Sequence, residues 1–190
     1  MGQATPPGGM IRTLSVSDVP HFREHLLRLD GETRQNRFAM GASDAFLKRY
    51  ADTAFAIEAD NFGYFEHGVL RAAAELRPVS PREAEAAFTV EIDQRGKGIG
   101  TALFAQVIGA ARERRLRRLY MSCLSYNSAM QALARKFSAE LVFEARDVLA
   151  ISDRNSIARR PEAETENEDR LHFATAILTI EKSWFPLRPR

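Results

Sequence analysis

Apolar residues recur along this chain with two different periods, and the switches between them divide it into elements. Ile11 to Val16 predicts a short first strand. Val19, Phe22, Leu26 and Leu29 follow at helical spacing, behind Ser17 or Asp18 as cap and with Pro20 in the first turn. The stretch from Gly31 to Ser43 has no apolar period and predicts an irregular connection fixed by Phe38. Ser43 or Asp44 opens a second helix with Phe46, Leu47, Tyr50, Ala51 and Ala54 as its apolar faces. Phe62 to Glu66 and Val69 to Arg77 read as strands joined by a turn at His67-Gly68. A connection from Pro78 to Glu85 leads into a third strand through Ala87, Phe88, Thr89 and Val90.

The second half repeats the alternation of strand and helix. From Thr101 the period is helical, with Leu103, Val107 and Ala110 beside Phe104, Ile108 and Ala111. Arg118 to Leu124 predicts a strand, and Met130, Leu133, Ala134 and Phe137 predict the next helix. Glu140 to Glu144 and Asp147 to Ser152 predict a hairpin. Residues 153–170 are polar and charged and read as a linker. Phe173, Ile177, Ile180 and Trp184 predict a C-terminal helix within 171–190, stopped by Pro186 and suited to covering the core or a second copy in a homodimer. Residues 1–9 read as a disordered leader, and 10–152 as the domain.

The chemistry is concentrated between the third strand and the long helix. There the chain reads Gln94-Arg95-Gly96-Lys97-Gly98-Ile99-Gly100-Thr101. Glycines let the backbone take unusual dihedrals and let a ligand approach its amides. The helix that follows offers unpaired N–H groups and a positive dipole end, so the stretch predicts an anion site for a phosphate. It is not a P-loop, because Lys97 lies between the glycines. Nor is it a dinucleotide fingerprint, because the spacing is G-x-G-x-G and no acidic residue ends a strand about twenty residues later.

Arg95-x-x-Gly98-x-Gly100 after a strand resembles the acetyl-CoA pyrophosphate loop of the GNAT (Gcn5-related) N-acetyltransferase superfamily. Asn127, after a strand and before a helix, resembles that family's second signature. The resemblance covers about Met10 to Ser152. It implies an α/β (α+β) fold, a central, mixed, mostly antiparallel twisted sheet flanked by helices, here with the extra C-terminal helix. It implies acetyl-CoA as co-substrate and transfer of the acetyl group to a primary amine by direct attack on the thioester.

The resemblance also carries site residues. Arg95, Gly96, Lys97, Gly98, Ile99, Gly100 and Thr101 would hold the pyrophosphate, and Asn127 would contact the cofactor arm. Thr89 and Val90 would run beside the pantetheine and polarise the thioester carbonyl. Glutamates on central strands serve as bases in some members, so Glu91, Glu85 and Glu75 are candidates, with Glu91 first for its position beside the carbonyl-binding segment. The family's usual acid, a Tyr eight residues into the Asn signature, is Ala134 here, and the Gly-Phe pair is Ser138-Ala139. Tyr126, Ser125 and Tyr120 are the other hydroxyls to hand. Thr33-Arg34-Gln35-Asn36-Arg37-Phe38 resembles a stretch that walls the acceptor site in some bacterial members.

Composition narrows the alternatives. The chain has 190 residues, 45% of them hydrophobic, and reads as one domain. Its net charge of +2 does not argue for nucleic acid, and the five arginines between Arg112 and Arg118 read as a solvated helix end. No apolar run has the length of a membrane span, and the first residues lack the pattern of a signal peptide. The one cysteine, Cys123, excludes an internal disulfide, suits a cytoplasmic protein, and reads as a small core residue. His21 and His25 read as surface or boundary residues of the first helix, with no metal-ligand cluster beside them. The competing readings are a non-catalytic acyl-CoA-binding regulatory module, motivated by Ala134, and a nucleic-acid partner of the arginine run.

Overall fold

The computed structural model describes residues 8–55 and 58–137, with the backbone course of 140–145 and 172–179. β1 (Gly9–Leu14) is followed by three helices, α1 (Val19–Arg28), α2 (Gly31–Phe38) and α3 (Asp44–Ala54). Then come β2 (Asp60–Glu66), β3 (Val69–Ser80), β4 (Glu83–Val90), α4 (Ile99–Glu113), β5 (Arg118–Leu124), α5 (Ser128–Lys136), β6 (Glu140–Ala145) and β7 (His172–Thr179). All the strands form one sheet in the order β1-β2-β3-β4-β5-β7-β6. Only β4 and β5 run parallel; the other neighbours are antiparallel.

Helices cover both faces. On one, α4 brings Leu103, Phe104, Val107 and Ile108 against Tyr64, Ala72, Ala74, Ala84 and Met121. On the other, Phe22 and Leu26 of α1 and Leu47 and Ala51 of α3 pack on Leu70 and Ala73. The caps are those that polar side chains supply at helix starts. Asp30 accepts the Thr33 N–H at 2.9 Å, Ser43 that of Phe46 at 3.3 Å, and Asn127 that of Met130 at 3.1 Å. Between β2 and β3 the register slips at Tyr64/Phe65 and leaves Arg71 without a partner on β2. Bulges of this kind re-aim side chains, and Arg71 reaches Glu91.

Two expectations need correction. Residues 31–38 form a helix, not a loop. It lacks an apolar stripe because its arginines tie down neighbouring segments. Arg34 donates to the carbonyls of Leu27, Leu29 and Ala42, and Arg37 reaches Glu75. Second, residues 172–179 are a strand rather than part of a C-terminal helix. Phe173, Thr175, Ile177 and Thr179 alternate with small or aliphatic residues, a period of two rich in β-formers that the wider helical spacing masked. β7 lies between β5 and β6, so residues 172–179 form part of the same sheet. Residues 1–7, the predicted strand at 147–152 and the linker at 153–170 lie outside the described residues. Among those described, no helix is long and apolar enough to cross a membrane.

Candidate active site

The sheet opens in its middle. β4 and β5 pair only from Glu83↔Arg118 to Glu85↔Tyr120. Beyond that point Ala86 to Val90 stay paired with β3 alone. The strands diverge around a cleft of about 1040 Å³, bounded by α2, the start of α4 and the start of α5. Along β4, Ala84, Ala86 and Phe88 turn to the α4 core, so Glu85, Ala87 and Thr89 turn to the opposite face.

One end of the cleft is the glycine loop. Gly96 (φ 75°) and Gly98 (φ 80°) are both left-handed, a conformation that side chains with a Cβ resist. Gly98 stands at the cap position of α4 without a side-chain cap, so the first amides of the helix have no side chain closing them. Arg95, Gly96, Gly98, Ile99, Gly100 and Thr101 line the cleft, as do Thr89 and Val90. Arg95 donates to Thr33 Oγ1 and lies 3.9 Å from Asp30, which ties the loop to α2. Lys97 departs from expectation: it is not among the residues lining the cleft, and its Nζ donates to Gln94 Oε1 at 2.9 Å. Lys136, on α5, lines the cleft instead and approaches Thr101 Oγ1 at 3.4 Å. Sequence reading missed it because it is the last residue of a helix whose start carried the signal.

The other end is polar and comes from α2, α3 and β3. Arg37, Tyr50, Arg77 and Glu85 line it. Behind them, buried Glu75 accepts from Arg37 at 2.7 Å, Arg77 Nε at 3.1 Å and the Tyr50 hydroxyl at 2.8 Å. The guanidinium groups of Arg37 and Arg77 hold the Glu75 carboxyl below its ordinary range against the opposing effect of burial. Burial raises the Tyr50 phenol, so it stays neutral and donates.

Glu91, first among the predicted bases, is not in the cleft lining. It is buried and accepts from Arg28 Nε at 2.9 Å and Arg71 Nη1 at 2.8 Å, with His25 Nδ1 at 3.1 Å. Burial works to raise its pKa, but its bonds to His25, Arg71 and Arg28 prevail and hold it at about 2. A carboxylate so engaged is a poor proton acceptor for substrate. The reason lies in geometry: β4 ends at Val90, and Glu91 turns back under α1. His25 is also a correction, since it is wholly buried. Phe22, His25, Leu26 and Leu29 share one helix face, a spacing that could have revealed it. Glu85 lines the cleft half-buried, and Tyr126 lines it with 57% of its surface exposed. Asn127 lines it while capping α5. Ala134 is fully buried in the core, Cys123 is buried, and Tyr120 donates to Glu83 at 3.2 Å. In the arginine run, Arg114 pairs with Asp60 and Arg118 with Glu83.

The model of the acetyltransferase (GNAT) family matches residues 24–138. The chain belongs to the GNAT acetyltransferase family. Its chemistry is therefore acetyl transfer, with acetyl-CoA as co-substrate. The GNAT fold is matched by solved structures at low identity. The GNAT domain of S. lividans PAT superposes with a TM-score of 0.64 at 18% identity, covering 90% of each chain. The ribosomal L7/L12 alpha-N-protein acetyltransferase RimL, in complex with coenzyme A, gives 0.64 at 16%, covering 92% of this chain and 96% of its own. The protein yncA from Salmonella typhimurium, with its cofactor acetyl-CoA, gives 0.61 at 15%, covering 94% and 98%. No curated protein sequence matches the chain.

The buried pair at the edge of this GNAT cleft makes stability depend on pH. Burial lowers the His25 pKa from its ordinary 6.5, so the unfolded chain takes up this proton first and stability falls as pH drops below about 6.5. Glu91 then contributes stability that is complete above about 4.5 and is lost as pH falls toward about 2. Urea midpoints are expected to hold steady above pH 7.5, decline between pH 6.5 and 5, and fall more steeply below 4.5. In the His25→Gln variant the first decline should shrink while the second remains.

Proposed function

We propose that this GNAT protein transfers the acetyl group of acetyl-CoA to a primary amine by direct attack on the thioester. The observation that carries the reading is the divergence of β4 from β5 between an open-amide glycine loop and a polar mouth. In this reading the amides from Gly96 to Thr101 hold the pyrophosphate, with Arg95 and Lys136 adding charge. Asn127 contacts the cofactor arm. Backbone amides near Thr89 and Val90 polarise the thioester carbonyl, the electrostatic help that an oxyanion needs most. Glu85, the carboxylate on the cleft's acceptor side, receives the incoming ammonium and takes its first proton, directly or through water. Asn36 Oδ1 and Arg37 Nε are buried without hydrogen-bond partners beside this mouth, which favours an acceptor with polar groups of its own. A single buried thiol suits a reducing cytoplasm.

The buried Ala134 gives the alternative, a cofactor-binding regulatory module, its one supporting observation. Calorimetry with acetyl-CoA and thiol release over a panel of amino acids, peptides, polyamines and aminoglycosides separate the two. The transferase reading expects micromolar binding and turnover on at least one class. Glu85→Gln should then lower kcat/KM for the amine by about a hundredfold at pH 7 and leave the acetyl-CoA Kd within twofold. Binding without thiol release across the panel would favour the regulatory module.

A further inference from the structure

His25 is fully buried, and both its ring nitrogens are engaged. Nδ1 lies 3.1 Å from Glu91 Oε1, and Nε2 lies 2.8 Å from Thr89 Oγ1. The protons follow from chemistry. Glu91 is an ionised carboxylate fixed by Arg28 and Arg71, so it can only accept. Nδ1 therefore carries the imidazole hydrogen, and Nε2 offers its lone pair. Thr89 must then donate its hydroxyl hydrogen to Nε2. Thr89 itself lines the cleft, on the part of β4 that has parted from β5. A hydroxyl, an imidazole and a carboxylate thus stand in series from the cleft into the interior, the order in which a base activates a hydroxyl.

An apolar side chain would join α1 to β4 without burying any of these groups, since His25 is flanked by Phe22 and Leu26 in the same core. The position of Thr89 supplies a reason for the polar series. Under the transferase reading, on which this inference rests, the thioester carbonyl lies beside the amides at Thr89. Glu85 is four residues away on the same strand face, about 13 Å along an extended chain. The proton chemistry at the two places is therefore separate. An ammonium acceptor must lose two protons to become an amide. The first leaves before attack, at the mouth.

We propose that Thr89, His25 and Glu91 form a relay that carries the second proton from the acceptor nitrogen to the departing thiolate. Attack forms the C–N bond and moves the carbonyl π pair onto oxygen, leaving a cationic nitrogen with the proton to be lost. Thr89 Oγ1 takes that proton as its own passes to His25 Nε2, and the imidazolium is held against Glu91. On collapse the oxygen pair restores C=O, the C–S bond breaks, and its electrons leave on sulfur. His25 returns its proton to Thr89, and Thr89 protonates the thiolate. All three side chains end as they began. The relay provides the acid that Ala134 does not. The groups bearing on His25 are Glu91 at the end of β4 and Glu75 on β3, which favour the imidazolium, and Arg28 on α1, which opposes it. Arg71 of β3 is held by Glu91.

The test uses His25→Gln, Thr89→Val and Thr89→Ser in the full chain. Glutamine can donate to Glu91 and accept from Thr89, so it preserves the tether but takes no proton. Valine keeps the shape of Thr89 and removes the hydroxyl. Acetyl-CoA Kd by calorimetry, thermal midpoint, and kcat against pH on the best amine of the panel are the readouts. His25→Gln and Thr89→Val are expected to lower kcat about a hundredfold, with Kd for acetyl-CoA within twofold. Thr89→Ser should stay within about threefold of the parent, the conservative change restoring the relay. The wild-type acid limb, which requires neutral His25, should vanish in His25→Gln. Equal kcat and an unchanged pH profile in His25→Gln and Thr89→Val, with wild-type turnover intact, would overturn the relay alone. Absence of wild-type turnover on every amine would overturn the transferase reading and the relay together. Should His25→Gln fail to fold, Thr89→Val decides the matter.

Discussion

Gly98→Val is expected to weaken acetyl-CoA binding by roughly a thousandfold while the domain remains folded. The reasoning has two parts. At φ 80° a β-branched residue is strained, which costs about 1–3 kcal/mol of stability, well below what a domain this size can lose. An added Cβ at Gly98 meets no protein atom within 4 Å, so no clash inside the fold adds to that cost. The cofactor meets the change differently. The residue caps α4 and faces the cleft, so a branched side chain stands over the amides that would hold the pyrophosphate. Losing two hydrogen bonds to a charged group at about 2 kcal/mol each gives about 4 kcal/mol, or three powers of ten. Calorimetry gives the affinity and urea unfolding the stability. Retained binding beside a lowered urea midpoint would make the loop a turn and nothing more.

The loop was legible in the sequence because its chemistry is local. Glycines, a preceding strand and a following helix are neighbours in the chain, and no distant residue is needed to read a glycine turn that opens a helix. Asn127 was legible for the same reason, since a cap acts on amides three residues away. The carboxylates were not. Glu75, Glu85 and Glu91 all sit on or beside central strands, yet only Glu85 lines the cleft. What separates them is which arginines reach them: Arg37 comes from α2, Arg28 from α1, and Arg71 from a bulge. Such contacts join residues 20 to 63 positions apart, beyond the reach of a local pattern. The helix α2 was hidden by the same contacts. Its side chains are polar because they are used against the rest of the fold, so it shows no apolar stripe. The last strand was hidden by an ambiguity of period, as apolar residues on both faces of an interior strand also satisfy helical spacing.

The buried carboxylate behind the polar end of the cleft carries the second large expected effect. Glu75→Ala is expected to destabilise the protein by about 3–5 kcal/mol, the range for removing one partner of a buried ion pair. Its side chain is 3% exposed, and that of Arg37 is 14% exposed. Without Glu75, the Arg37 and Arg77 guanidinium groups and the Tyr50 hydroxyl would lose their common acceptor. Those partners lie on α2, β3 and α3, so the loss loosens three elements at once. Glu75→Gln keeps one accepting oxygen, loses the charge and turns an NH2 toward the remaining donors, so it should recover only part of the loss. The sign of the pH effect gives an independent check. The carboxyl is held below its ordinary 4.5, so its contribution is complete above that value and is lost as pH falls through the lower folded value. The gap between wild type and Glu75→Ala in urea should therefore close as the pH is lowered below about 4.5. A gap that persists unchanged at pH 3 would point to lost packing rather than lost charge. At a temperature where the variant stays folded, acetyl-CoA affinity should hold while the KM of the amine rises, because Arg37, Tyr50 and Arg77 line the polar end of the cleft, where the proposed reaction seats its acceptor, and Glu75 fixes all three.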